Sequence, residues 1–155
     1  MSLLKEDLKK IFSENINKKI CVLGTTCTGK TTLINELNVG KDMDDLIFPL
    51  LTESEKNYVC QSPWTQEIGN KMDEFVRTKL SIKPSVPLFG TVLLPCDLIV
   101  YLRIDDELLL ERTNLRHVNF LDAKNMQSKI EKEIYDSNIE TIIVDVSENL
   151  KKKNL

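Results

Sequence analysis

The chain has 155 residues and a mass of 17.8 kDa, the size of one domain, which excludes a two-domain enzyme. Its 41% hydrophobic and 29% charged residues are typical of a chain that buries a core and exclude a disordered or fibrous protein. The net charge of -3 gives no electrostatic reason to bind nucleic acid, and no segment approaches the roughly 18 apolar residues of a membrane span, so we predict a single domain over residues 1–155 that binds neither.

Cysteine spacing and the N-terminal segment indicate the compartment. Cys21, Cys27, Cys60 and Cys96 include no C-x-x-C pair of the kind that zinc and redox sites use. Charged residues interrupt the leucines of the first 15 residues, which excludes the apolar core of a secretory signal. We therefore predict free thiols and a cytoplasmic protein.

The N-terminal part of the chain predicts helix, strand, turn and helix in that order. Apolar residues at helical spacing indicate an extra amphipathic helix over about residues 2–15. The apolar run 20–23 predicts a strand, a turn rich in Gly and Thr follows it, and residues 33–37 return to helical spacing. Asn38 and Gly40 are typical of the end of that second helix.

The middle of the chain predicts a loop, a brief strand and a helix. The loop follows the apolar stretch 46–51, and residues 58–60 are the candidate strand. Ser62, with Pro63 behind it, is a good helix start for a helix that runs to about Leu80. Its apolar face consists of Trp64, Ile68, Met72, Phe75 and Val76.

The C-terminal part predicts two further strands with two helices between them. Residues 88–94 are compatible with a short helix or a strand. The near-continuous apolar run 98–104 is typical of a strand buried on both faces of a parallel sheet. A helix begins at the acidic residues 105–107, another spans about 122–136, and a strand spans 141–146. Strands that alternate with helices predict an α/β fold with a parallel sheet.

One motif carries most of the chemical information. Residues 24–31 satisfy G-x-x-x-x-G-K-[ST], in which backbone N–H groups surround phosphate oxygens at a helix N-terminus. The motif lies between a predicted strand and a predicted helix, which is the context that it requires. The segment consists of Gly24, Thr25, Thr26, Cys27, Thr28, Gly29, Lys30 and Thr31, and Thr32 follows it.

This segment resembles the phosphate-binding loop of the P-loop NTPases. The chain around it, over roughly residues 20–146, resembles the small-molecule kinases of the nucleoside monophosphate kinase and shikimate kinase group. The acidic residues 42–45 are similar to the Asp-x-Asp that such kinases carry after the first helix. Residues 96–102 are similar to the strand before their lid, and residues 111–116 to the helix end and lid that carry two arginines.

The resemblance implies a fold and an activity. It implies a three-layer α/β/α P-loop fold with a five-stranded parallel sheet in the order 2-3-1-4-5. It also implies that ATP and Mg²⁺ are the cofactors and that the γ-phosphoryl group passes to a small hydroxyl or phosphate acceptor. The competing hypothesis is a P-loop NTPase or a nucleotide-binding regulatory protein without a small-molecule acceptor.

The resemblance further implies roles for single residues. Residues 24–32 would hold the triphosphate, with Lys30 bridging its terminal phosphates. Thr31 and Asp42 would bind magnesium, and Asp44 or Asp45 would orient the acceptor. The alternative for the acidic residues is simple turn and capping chemistry.

The implied lid covers about residues 112–121. Arg112 would lie against adenine, and Arg116 would close on the transferred phosphoryl group, a task for which a planar guanidinium is well suited. The alternative is a solvated helix end. His117, the single histidine, is expected to be an exposed linker residue and not an acceptor ligand.

Three features depart from the family pattern. Cys27 stands where these kinases often have glycine, so the loop must avoid a left-handed conformation there or accept strain. Gln61 ends the predicted strand 58–60, where many relatives have an acidic residue. The extra N-terminal helix would cover a sheet edge or bind a partner. Residues 70–73 spell the N-K-x-D of GTPases, but they lie inside a predicted helix, which argues against a guanine site.

Overall fold

The computed structural model describes residues 3–63 and 65–146, which form helices and strands. The strands are β1 (Ile20–Leu23), β2 (Lys41–Asp42), β3 (Leu88–Gly90), β4 (Leu98–Arg103) and β5 (Thr141–Asp145). The helices are α1 (Leu3–Glu14), α2 (Lys30–Leu37), α3 (Met43–Ile47), α4 (Glu53–Val59), α5 (Gln66–Lys79), α6 (Asp106–Leu115) and α7 (Phe120–Ser137), with a 3-10 turn over Phe48–Leu50.

The five strands form one parallel sheet in the order β2-β3-β1-β4-β5, which confirms the predicted fold class and strand order. β1 lies in the middle, between β3 and β4. Alternate residues of β1 and β4 face two separate cores, because successive strand side chains point to opposite faces. Residues of α1, α2 and α6 contribute to one core, and residues of α3, α4 and α5 contribute to the other.

The prediction of a strand at residues 58–60, and of a loop before it, was wrong. These residues belong to α4 and its C-cap, and a capping box starts this helix. Glu55 N–H donates to Thr52 Oγ1 at 3.1 Å, while Thr52 N–H donates to Glu55 Oε1 at 2.9 Å. Both bonds satisfy amide groups that the first helical turn leaves without partners. The second strand of the sheet is instead the two-residue β2, which lacks an apolar run that would have revealed it.

The helix α5 begins later than predicted. Its N-cap is Thr65, whose hydroxyl accepts from the N–H of Ile68 at 3.2 Å, so Ser62 does not cap it. Ile68, Phe75 and Val76 are buried, as the apolar face requires, and Trp64 lies outside the described residues. The ambiguous residues 88–94 begin with β3, and all three residues of this strand are buried.

The extra N-terminal helix α1 covers a face of the sheet, not an edge. Leu4, Leu8 and Phe12 are buried in the same core as residues of α2 and β1. The Phe12 ring meets the Phe89 ring of β3 edge-on, with 6.1 Å between the ring centroids. α1 is therefore part of the domain core. Among the described residues, no helix combines the length and apolarity that crossing a membrane requires.

Candidate functional site

The loop over residues 24–29 leaves the carboxyl end of the central strand and leads directly into α2. Ligands of open α/β sheets bind at this edge, where the strand order reverses. The N–H of Gly24 donates to Gly90 O of the neighbouring strand at 3.3 Å. A Cβ at Gly24 would lie 2.8 Å from Thr28 Oγ1, so the tight loop leaves no room for a side chain there. Gly29, the N-cap of α2, has a φ of 95°, which favours glycine.

Cys27 adopts a left-handed backbone conformation, the strained one of the two alternatives that the sequence left open. Its φ is 70°, in the left-handed region that residues with a Cβ rarely adopt. Arg112 supports this conformation, because its Nη1 donates to Cys27 O and to Thr28 O, both at 3.1 Å. The thiol is buried, and Arg116 Nη1 lies 3.7 Å from its sulfur.

The Lys30 ammonium group lies within the curve of the loop. Its Nζ donates to Gly24 O at 2.6 Å and to Thr25 O at 2.8 Å, with Thr28 Oγ1 at 3.4 Å. Burial lowers the pKa of Lys30 to about 8. The negative charges of Asp42 and Asp44 act in the other direction and partly offset this effect. The Lys30 ammonium is poorly hydrated, and its hydrogen-bond partners are neutral carbonyl oxygens. It can therefore exchange these carbonyl partners for the oxygens of a bound anion.

Two loop threonines use their hydroxyl groups to build the loop. Thr25 Oγ1 donates to Ala123 O of α7 at 2.6 Å, and Thr28 Oγ1 donates to Thr25 O at 3.0 Å. Both side chains are buried. Backbone groups and Lys30 are therefore what this part of the loop offers a ligand, whereas Thr26 is half-buried and Thr32 is exposed.

Thr31 and Asp42 meet beside the loop. Thr31 Oγ1 donates to Asp42 Oδ2 at 3.3 Å, and Asp42 Oδ1 also accepts from the N–H of Asp44 as the N-cap of α3. Capping chemistry and the contact with Thr31 thus coexist in one carboxylate. Hydroxyl and carboxylate oxygens are ligands that magnesium prefers, and this ion usually takes one or two carboxylates together with phosphates and water. The pair fits such an ion, although the described residues contain no group of three or more His, Cys, Asp or Glu that could hold a metal.

The neighbouring acidic residues differ in their surroundings. Loss of hydration raises the pKa of the Asp44 carboxyl, the Asp42 carboxylate raises it further, and the Lys30 charge lowers it. The Asp44 side chain still reaches solvent. Asp44, like Asp42, therefore lies in the field of Lys30, whereas Asp45 is exposed in the first turn of α3.

The predicted lid region is short and tied to the loop at both ends. It comprises the last turn of α6, the link 116–119 and the first residues of α7. Arg112 holds loop carbonyls on one side, and its pKa is lowered by burial. The bond from Thr25 to Ala123 O holds α7 on the other side. Arg116, the exposed C-cap of α6, and His117, exposed with a φ of 57°, begin the link.

Two features that the sequence singled out lie away from the loop. Gln61 is exposed and follows α4, so it does not stand at a strand end. Residues 70–73 lie within α5, where Asn70 accepts from Gln66 Nε2 at 3.0 Å and Asp73 pairs with Lys129 at 3.0 Å. These helix contacts agree with the structural interpretation of the N-K-x-D residues.

A cavity of about 430 Å³ lies beside the loop, and none of the sequence patterns predicted it. Loop residues line one side, and Leu4 and Lys5 of α1, Glu36 of α2 and Leu115 of α6 line the others. Lys5 Nζ lies 2.7 Å from Glu36 Oε2. The amphipathic spacing of α1 reveals that one face is buried but not which residues reach the loop, so no local signal could have found this site.

Comparison with protein-family models and with curated proteins found no match to this chain. The functional assignment of the loop and its surroundings therefore depends on their geometry and chemistry.

Proposed function

We propose that the protein is a cytoplasmic small-molecule kinase that binds ATP with Mg²⁺ and transfers the γ-phosphoryl group to a small hydroxyl or phosphate acceptor. One observation carries the proposal: the Lys30 ammonium lies inside a glycine-bounded loop at the carboxyl end of the central strand, with the Thr31–Asp42 pair beside it. A single short segment thus offers a cation, oxygen ligands for a metal and a helix N-terminus to one polyphosphate.

The chemistry of phosphoryl transfer fits this inventory. Catalysis depends on alignment and on cations placed against the charge of the transferring group, so the protein needs little covalent chemistry. Lys30 would exchange its carbonyl partners for phosphate oxygens. Thr31 and Asp42 would hold magnesium, which would neutralise phosphate charge.

Acceptor binding belongs to the side of the loop where α3 begins. Asp44 reaches solvent and lies close enough to Lys30 for their charges to interact. Its carboxylate would accept a hydrogen bond from the hydroxyl group of the acceptor. Arg116, exposed at the end of α6, would close on the phosphoryl group from the opposite side.

ADP release tests the proposal. Purified protein with ATP and Mg²⁺ is assayed against nucleosides, nucleoside monophosphates, hydroxy acids and sugars. We expect ADP formation that requires one of these acceptors. Acceptor-independent turnover would replace the kinase with an NTPase, and ATP binding without turnover would indicate a regulatory nucleotide-binding protein.

Variants assign the activity to the site. Lys30→Ala should abolish turnover, while Lys9→Ala, which changes an exposed lysine of α1, should leave turnover unchanged. Asp42→Asn should reduce kcat about a hundredfold with a smaller loss of ATP affinity, because the charge acts mainly in the transition state. Circular dichroism confirms that each variant is folded. Full turnover by Lys30→Ala would refute the site.

A further inference from the structure

The cavity beside the loop has the dimensions of a ligand site. Its volume of about 430 Å³ falls within the roughly 300–1,000 Å³ typical of small-molecule pockets. It is bounded by α1, α2, α6 and the loop itself. Leu4, Leu33, Cys27 and Thr28 line its buried part, whereas Thr32, Glu36, Leu115 and Arg116 are exposed. The cavity therefore has a largely apolar buried part and opens to solvent between α2 and the end of α6.

The cavity is continuous with the candidate phosphate site. Thr28 and Gly29 belong to the loop and also line the cavity. Arg112, which holds the Thr28 carbonyl, lines it as well. The cavity therefore adjoins the loop, and a molecule whose phosphates lie in the loop can place the rest of its structure in it.

The lining suits a flat heteroaromatic group with a polar edge. Leu115 is 75% exposed at the mouth of the cavity. Covering this apolar side chain with a ring removes apolar surface from water, which favours binding. The Lys5–Glu36 pair supplies donors and an acceptor together. A carboxylate accepts from an exocyclic amino group, whereas an oxo group in its place cannot donate and would face the lone pairs of the carboxylate.

We propose that α1 completes a nucleoside site in this cavity, in which Leu4 and Leu115 contact the base and Glu36 of the Lys5–Glu36 pair accepts from its exocyclic amino group. This inference rests on the proposed binding of a nucleoside triphosphate by the loop. It assigns the N-terminal helix to substrate selection and makes an amino-bearing base, as in ATP, the preferred one. ITP, which carries an oxo group in place of that amino group, should bind more weakly.

Calorimetric titration of the full chain with Mg²⁺ and ATP, ITP or inorganic tripolyphosphate tests the inference. ATP should bind at least about tenfold more tightly than tripolyphosphate. Leu115→Ala should weaken ATP at least about fourfold, the effect of one buried methylene group, and leave tripolyphosphate unchanged. Leu110→Ala is the matched control, since Leu110 lies on the same helix, is 46% exposed and does not line the cavity.

A charge swap separates base recognition from a structural role of the ion pair. The double variant Lys5→Glu/Glu36→Lys retains opposite charges but exchanges donor and acceptor. We expect its preference for ATP over ITP to fall about tenfold, because hydrogen bonds to charged groups discriminate strongly. If the swap and Leu115→Ala both leave ATP, ITP and tripolyphosphate affinities unchanged, the inference is overturned while the phosphate site stands. If wild-type protein binds neither ATP nor tripolyphosphate, the proposed function itself is overturned.

Discussion

Lys30 couples the candidate site to pH. Burial places its pKa at about 8, below the ordinary value of 10.5, so the folded protein holds this proton less tightly than the unfolded chain. Between these two values the unfolded chain binds more protons, and the contribution of Lys30 to the free energy of unfolding therefore increases as pH rises. A bound polyphosphate has the opposite effect on the group, because a nearby anion favours the charged form.

Polyphosphate binding should therefore weaken as pH rises above about 8. Each pH unit between 8 and 10 should reduce the affinity for ATP about tenfold, because binding must restore one proton to Lys30. Calorimetry in buffers of different ionisation enthalpy measures that proton uptake directly. Lys30→Arg is the control, because a guanidinium stays charged over this pH range. Whatever the absolute affinity of this variant for ATP, it should not change between pH 8 and 10. A wild-type affinity that is constant from pH 8 to 10 would contradict a role for Lys30 in phosphate binding.

At the scale of elements, α6 and α7 both hold the loop through hydrogen bonds to it. Arg112 of α6 bonds two successive loop carbonyls, and Ala123 O of α7 accepts from Thr25. The resemblance implied that Arg112 lies against adenine, whereas the guanidinium contacts the loop backbone. Its position indicates that it maintains the conformation in which Cys27 has a positive φ.

Replacing Arg112 should therefore change the stability of the loop and its binding of phosphates, and not the recognition of the base. Arg112→Ala should lower the free energy of unfolding by about 2 kcal/mol, typical of hydrogen bonds from a charged group, and should weaken tripolyphosphate and ATP to the same degree. Chemical denaturation and titration measure the two effects. Arg103→Ala, which removes an exposed ion pair with Asp145, should cost at most about 1 kcal/mol. Weaker ATP binding with unchanged tripolyphosphate binding would favour adenine stacking instead.

Over the whole molecule, two cores share the same central strands. Ile20 and Val22 of β1 face one core, while Cys21 and Leu23 face the other. Leu4, Leu8 and Phe12 of α1 are buried in the first core, although α1 precedes the first strand of the sheet in sequence. Since the strands connect the cores, loss of packing in one should destabilise the entire domain.

Leu8→Ala tests that cooperativity. Leu8 has no exposed surface, so its truncation should lower the free energy of unfolding by about 2–5 kcal/mol. Thermal unfolding followed by circular dichroism should still show a single transition. Ile16→Ala, at a site that is 52% exposed, should change stability by less than about 0.5 kcal/mol. Separate unfolding of α1 ahead of the sheet would contradict its membership of the core.

Local patterns were sufficient for most of the architecture. The apolar runs at β1 and β4, the helical spacing of α1 and α5 and the Gly-Lys-Thr turn are each contained in a few consecutive residues. These signals predicted an α/β fold with a parallel sheet and a phosphate-binding loop between a strand and a helix, whereas the number and order of the strands came from the family resemblance. They failed at β2, whose two residues carry no apolar pattern, and at α4, whose capping box outweighed the strand-like residues near its end.

The tertiary structure decided the contacts between distant segments. Arg112 reaches loop carbonyls that lie 84 and 85 positions earlier in the chain, and Thr25 bonds a residue 98 positions later. α1 reaches Glu36 of α2 across the intervening strand and loop. Spacing and capping depend on neighbours along the chain, whereas these contacts depend on how the sheet brings remote segments together. The sequence therefore identifies the motif, whereas only the tertiary structure identifies the side chains that surround it.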